Sequence, residues 1–142
     1  MTNQEKIEAA FKDLLEIVIR ERVGFCFANP TEYPQTDYGD YSAEQYKIRV
    51  FKERTAPLTV WHIYAMAHEL QHFRQHTSMT GYNTWFYALD GTNVDDLKED
   101  ARLELDADEA AVGVLKKYKI RIPAQLDTFI TDRRTHYQSI IG

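Results

Sequence analysis

Residues 68–72 read His-Glu-Leu-Gln-His, and their neighbours confine this pattern to a helix that must be buried. Tyr64, Ala65, Met66, Ala67, Leu70 and Phe73 make the flanks strongly apolar. Positions i and i+4 project from the same side of an α-helix, one turn apart. His68 and His72 therefore stand together against a core, where unpaired polar groups are costly. Two imidazoles so placed can both reach one Zn²⁺ at about 2.0–2.1 Å. Glu69 lies about 100° round the helix, at the edge of that face. From there its carboxylate reaches a water on the metal without being a ligand. A metal lowers the pKa of its water to about 7, and the carboxylate takes the proton as a carbonyl is attacked. The competing reading is a solvated helix face with two ordinary histidines, which the apolar flanks disfavour.

A catalytic zinc site commonly has three protein ligands and an open fourth position. His76 shares the face of His68 and His72, but helix rise separates residues 68 and 76 by about 12 Å. One metal cannot bind both ends of that span, so His76 is expected to face solvent or to support the site indirectly. Better candidates lie in residues 99–111, Glu-Asp-Ala-Arg-Leu-Glu-Leu-Asp-Ala-Asp-Glu-Ala-Ala. Acid-rich runs are usually solvated faces. Here Ala101, Leu105, Ala107, Ala111, Val112 and Leu115 supply a packing side whose alanines permit close approach to another helix. Glu104 and Asp108 form an i, i+4 pair bordering that side. Glu104 can be the third ligand, with Asp100 as the fallback. Asp108 can accept the spare N–H of a ligating histidine and so fix its tautomer.

The rest of the chain supplies a frame. Thr2 or Asn3 can cap a helix running to about Arg22, with Ile7, Phe11, Leu14 and Val18 on its apolar face. Residues 29–43 read as a long loop or irregular hairpin. Residues 45–52 alternate as a strand does. Pro57 suits the first position of the motif helix, expected over about 58–75. A second irregular stretch covers 77–93. Thr92 or Asn93 can cap the acid-rich helix, whose first turns carry Asp95, Asp96 and Glu99 and whose end carries Lys116 and Lys117, as the helix dipole prefers. Residues 119–122 form a candidate short strand. Pro123 opens a last helix with Leu126, Phe129 and Ile130 on its apolar side.

Composition narrows the function classes. A length of 142 residues suits one domain, spanning 1–142. The net charge of −5, with no clustered basic stripe, disfavours a nucleic-acid-binding surface. The single Cys26 cannot build an intramolecular disulfide or a multi-cysteine metal site. No apolar run approaches the roughly 20 residues of a membrane span, and the polar N-terminus lacks a signal-peptide pattern. A cytoplasmic location is the default expectation.

His68-Glu69-Leu70-Gln71-His72, followed 32 positions later by Glu104-Leu-Asp-Ala-Asp108-Glu-Ala-Ala111, resembles the gluzincin pattern. The match, over about residues 45–115, is to compact one-domain members, which include the minigluzincins, the related catalytic domains of integral-membrane gluzincin peptidases and the ImmA/IrrE-type proteases. The resemblance implies an α+β zincin-like domain, a small twisted sheet packed on the HExxH helix and a glutamate-bearing helix. It implies a zinc-dependent metallopeptidase acting on peptide or protein substrates, with His68, His72 and Glu104 as Zn²⁺ ligands, Glu69 as general base and Asp108 beside a ligand. Gln71 stands where these families often have Gly, and Arg74 where an apolar residue is common. The strand at 46–51 is expected to be the edge strand to which a peptide adds. His136, Tyr137, Tyr82 and Tyr87 are candidates by type for stabilising an oxyanion. By analogy with small family members, the helix after Pro123 can cover the cleft and hold the enzyme latent. The alternatives are a zinc-binding structural or interaction module without turnover, and an interaction protein with no metal.

Overall fold

The first helix begins where its capping residues put it. The Thr2 hydroxyl accepts from the Glu5 backbone N–H at 3.1 Å, and the Glu5 carboxylate accepts from the Thr2 N–H at 3.0 Å. Helix α1 spans Asn3–Glu21, buries Ile7, Ala10, Leu14 and Val18, and ends at Arg22 in the left-handed region (φ 59°). The computed structural model describes residues 1–31, 38–78 and 93–142. Among these the chain is α+β, with four helices and one three-stranded sheet.

The strands are β1 (Gly24–Ala28), β2 (Gly39–Ser42) and β3 (Lys47–Phe51), in the order β1-β3-β2. β1 runs parallel to β3, pairing Gly24 with Lys47 and Ala28 with Phe51. β2 runs antiparallel to it, pairing Gly39 with Val50 and Ser42 with Lys47. The alternation expected of β3 is present, and Ile48 and Val50 are fully buried. Its expected position is not. β3 is the central strand, and the edge strands are β1 and β2. Of the two readings of 29–43, a long loop or an irregular hairpin, the second is nearer, since the stretch contains β2, which pairs antiparallel with β3. Gly-Asp-Tyr-Ser has no apolar alternation of its own, and β2 exists because β3 offers it a ladder of main-chain partners.

Helix α2 (Val60–Thr77) carries the His-Glu-Leu-Gln-His motif. Pro57 is not its first residue. Thr59 is the N-cap, and the His62 Nδ1 accepts from the Thr59 N–H at 2.9 Å. Every residue from Ile63 to Leu70 is buried, because α2 packs against α1, β2, β3 and the next helix. That helix, α3 (Val94–Lys117), is capped by Asn93, whose side chain accepts from the N–H groups of Asp95 and Asp96. Ala101, Ala107 and Ala111 are buried on it, and their small side chains let α3 approach closely.

The two unusual residues of the motif helix tie it to its neighbours. Gln71 donates to Asp106 of α3 at 2.8 Å, and Arg74 pairs with Glu21 of α1 at 3.1 Å. Residues 119–122 are not a strand. Lys119 turns the chain in the left-handed region (φ 55°), and the Arg121 N–H is held by Asn3 at 2.9 Å. Helix α4 (Ala124–Ile141) follows Pro123 and buries Leu126 and Ile130. No helix among the described residues is long and apolar enough to cross a membrane.

Candidate metal centre

α2 and α3 bring His68, His72 and Glu104 together. One ligand atom from each lies within 4.8 Å of the others, so this group could hold a metal ion. The atoms that converge are the imidazole Nε2 nitrogens and the Glu104 carboxylate. His72 Nε2 is 3.1 Å from Glu104 Oε1, and His68 Nε2 is 3.3 Å from Glu104 Oε2. The imidazoles stand nearly perpendicular, with ring centroids 4.6 Å apart.

The other ring nitrogens are engaged. His72 Nδ1 is 2.8 Å from Gln75 Oε1. The Gln75 amide nitrogen donates to the Leu103 carbonyl and to Asp106, so its oxygen must be the atom facing His72. His72 Nδ1 therefore carries the proton, and Nε2 is the lone-pair nitrogen. His68 Nδ1 is likewise 2.9 Å from Glu69 Oε1. Two lone-pair nitrogens thus face carboxylate oxygens at little more than 3 Å, an arrangement that repels unless a proton or a metal ion lies between. Two imidazoles and a carboxylate are also a donor set that suits zinc among divalent ions. The residues fit a metal.

Electrostatics shows the same demand for positive charge. Burial disfavours the His68 imidazolium, yet hydrogen bonds to Asp108, Glu104 and Glu69 outweigh it and raise its pKa well above the ordinary value. Burial also opposes charge on His72, and Glu104 and Glu69 again raise it. Burial favours a neutral Glu104, but the two imidazoles pull its carboxyl far below the ordinary carboxylate range.

Asp108 is 4% exposed and accepts from the Tyr64 hydroxyl at 2.7 Å. Its Oδ1 lies 3.1 Å from His68 Nε2. It thus faces the nitrogen that also faces Glu104, where the sequence suggested the spare N–H. Asp100 is not in the convergent group. Burial, then the negative charge of Glu104, raises its carboxyl.

His76 does not face solvent. It is 2% exposed, with Nδ1 2.8 Å from the Tyr41 hydroxyl and its ring 5.0 Å from that of Tyr46. It is not in the metal-competent group. It pins α2 to β2 instead, and the Tyr41 and Tyr46 side chains cover it.

A cavity of about 210 Å³ adjoins the group, lined by His68, Glu69, His72 and Glu104, by Tyr38 to Tyr41, and by Phe129 and Arg133 of α4. Gly39 matters here. A Cβ on it would lie 2.7 Å from the Arg49 carbonyl oxygen of β3, so glycine lets β2 pair this tightly with β3, while the motif helix would be met at an ordinary 3.6 Å from the Glu69 Cγ.

Of the oxyanion candidates, His136 is exposed, and Tyr82 and Tyr87 lie outside the described residues. Burial, then the negative charge of Glu104, pushes the Tyr137 phenol up to about 12. The sequence reading missed Gln75 and Arg133. Gln75 follows His72 by three positions on the same helix, a usable signal. Arg133 had none, since Asp132-Arg133-Arg134 reads as a polar surface. Comparison with family models, with curated proteins and with solved structures gave no match to this chain.

Proposed function

We propose that this chain is a zinc-dependent peptidase of the gluzincin type, with a zincin-like domain. The observation that carries the reading is the convergence of His68, His72 and Glu104 beside a cavity that Glu69 also lines. His68, His72 and Glu104 would hold the ion. Bound there, zinc would polarise a carbonyl and acidify a water. Glu69 would take a proton from the attacking water and return it to the departing amine, as a general base and acid. It is 7% exposed and comes from the same helix as two of the ligands, so its placement is rigid. Gln75 orients His72, and Asp108 shares the Nε2 side of His68.

The edge strand β2 supports a peptide substrate. It is an outer strand of the sheet, paired with β3, and it borders the cavity. An extended peptide adds to such an edge through main-chain hydrogen bonds. This role moves from β3, where the sequence suggested it, to β2.

The test is metal analysis with peptide cleavage, in the native protein and in Glu69→Gln. Zinc at one per chain in both, with cleavage in the native protein alone, is the expected result. Zinc without cleavage in either would sink the enzyme reading.

One observation favours a second reading, a metal-stapled structural module. Arg133 joins α4 to the Glu104 and Asp108 carboxylates of α3, so the group already knits helices together. On that reading removing zinc unfolds the chain, and Glu69→Gln changes nothing measurable.

A further inference from the structure

Helix α4 adds a fixed positive charge to the metal-competent group. The Arg133 Nε donates to both oxygens of Asp108, at 3.0 and 3.2 Å. Its Nη2 donates to Glu104 Oε2 at 2.6 Å and stands 3.4 Å from His68 Nε2. The side chain is 18% exposed. Burial opposes its charge, but the Asp108 carboxylate outweighs burial and keeps the guanidinium protonated.

The guanidinium is also bracketed. Its central carbon lies 5.5 Å from the Phe129 ring centroid and 5.2 Å from that of Tyr137. These residues are one turn before and one turn after Arg133 on the same helix face. Two aromatic rings and two carboxylates hold a side chain that is otherwise rich in rotamers. The cost of ordering it is met in the fold and not at the moment of reaction.

This fixed cation has donors to spare. A guanidinium carries five N–H groups. Nε and Nη2 make all of its hydrogen bonds to the described residues, and Nη1 has no acceptor among them. Arg133 lines the same cavity as His68, Glu69, His72 and Glu104, so an acceptor entering the cavity has this donor beside it.

We propose that Arg133 is the catalytic residue that holds the oxygen on which negative charge develops, its Nη1 donating to the carbonyl oxygen of the peptide bond being cleaved. The inference rests on the peptidase reading. In the step it serves, the oxygen of water bonds to the carbonyl carbon and a water proton passes to Glu69. The electron pair of the C=O bond moves onto the carbonyl oxygen, to which the Arg133 Nη1–H donates. When the pair returns, the C–N bond breaks and Glu69 gives its proton to the leaving nitrogen. Water and one amide become one carboxylic acid and one amine, with no other reagent. A charged donor aimed where charge appears acts more strongly in the transition state than on the neutral carbonyl.

Arg133 also touches Glu104, so the test must separate holding a ligand from holding the substrate oxygen. Arg133→Lys and Arg133→Ala are compared with the native protein in four measurements. These are zinc stoichiometry and affinity, kcat and KM on short unstructured peptides, affinity of the zinc-loaded protein for a phosphonamidate peptide, and rescue by added methylguanidine. The expected result is one zinc per chain in both variants. In Arg133→Ala, kcat falls about 10²–10³-fold with KM little changed. The phosphonamidate, which carries the tetrahedral charge, loses affinity in proportion. Methylguanidine restores part of kcat in Arg133→Ala at constant zinc content. Native kcat in Arg133→Ala, or undiminished phosphonamidate affinity, overturns the proposal and leaves the peptidase reading intact. Zinc lost from both variants with no rescue also overturns it, making Arg133 a positioning residue for Glu104. A zinc-loaded native protein that neither cleaves peptides nor binds the phosphonamidate overturns both.

Discussion

Gln75 accepts from the His72 Nδ1–H at 2.8 Å while its amide nitrogen spans to the Leu103 carbonyl and Asp106 on the facing helix. One amide thus sets the tautomer of a candidate ligand and fixes the distance between the helices that carry the ligands. Replacing Gln75 with Leu keeps the volume and removes both functions. Zinc affinity is expected to fall about 10–100-fold, the usual effect of losing a partner to a ligating histidine. Competition with a chromogenic chelator measures it. Unchanged affinity would show that His72 needs no such support.

Zinc binding should strengthen as pH rises. In the metal-free protein the pKa values of His68 and His72 are raised from the ordinary 6.5. The stability these two contribute is fully present below 6.5 and is lost as pH rises through their raised folded values. Glu104 is lowered from 4.5, so its contribution is present above 4.5 and lost as pH falls toward its folded value. A metal must displace the imidazole protons. The rise in Tm produced by zinc should therefore grow steadily from weakly acid to weakly alkaline buffer. Thermal melts with and without zinc across that range test this, and a flat difference would contradict it.

His76→Ala should separate the third clustered histidine from the metal group. The buried imidazole loses its bond to Tyr41 and its packing on Tyr46. Stability should fall by about 1–3 kcal/mol, read from urea unfolding. Zinc affinity should stay within a factor of about three, well short of the loss expected on breaking a ligand's partner. A large loss of zinc would place His76 in the site after all.

Gly39→Ala probes how β2 is held on β3 beside the motif helix. Its new Cβ meets the Arg49 carbonyl oxygen at 2.7 Å, and backbone cannot give way cheaply. Destabilisation of about 1–3 kcal/mol is expected from overpacking. Cleavage should fall further than stability alone explains, because β2 then shifts relative to Glu69. Equal activity per folded molecule would detach β2 from the site.

Truncation after Ile122 should unfold the chain, and so cannot serve as a simple test of latency. It removes Leu126 and Ile130, which are 0% and 5% exposed, and deleting buried side chains of this size costs about 2–5 kcal/mol each. Circular dichroism and a denaturant titration of the truncate decide the point. A cooperatively folded truncate would show that α4 only rests on the rest of the molecule.

What the sequence determined by itself is local. Helix period places His68 and His72 on one side and rules His76 out of a shared ligand set, because both follow from a fixed rise per residue. Capping residues set the starts of α1 and α3 where expected, since a cap bonds only its own first turn. The alternation in β3 is legible for the same reason. The pairing of Glu104 with the two histidines was also readable, as a motif and not as geometry.

Tertiary structure decided everything that needed a partner far along the chain. β3 became a central strand because β1, a short apolar run, and β2, with no alternation of its own, both took their ladders from it. His76 was buried by Tyr41 and Tyr46, which local periodicity cannot foresee. Arg133 came to stand beside the metal-competent group because α4 packs on α3 and presents one of two adjacent arginines to Asp108 and Glu104. A charged residue on a polar stretch reads as solvated in sequence. Whether it is instead held in a site depends on which carboxylates the fold sets against it, and only long-range packing fixes that distance.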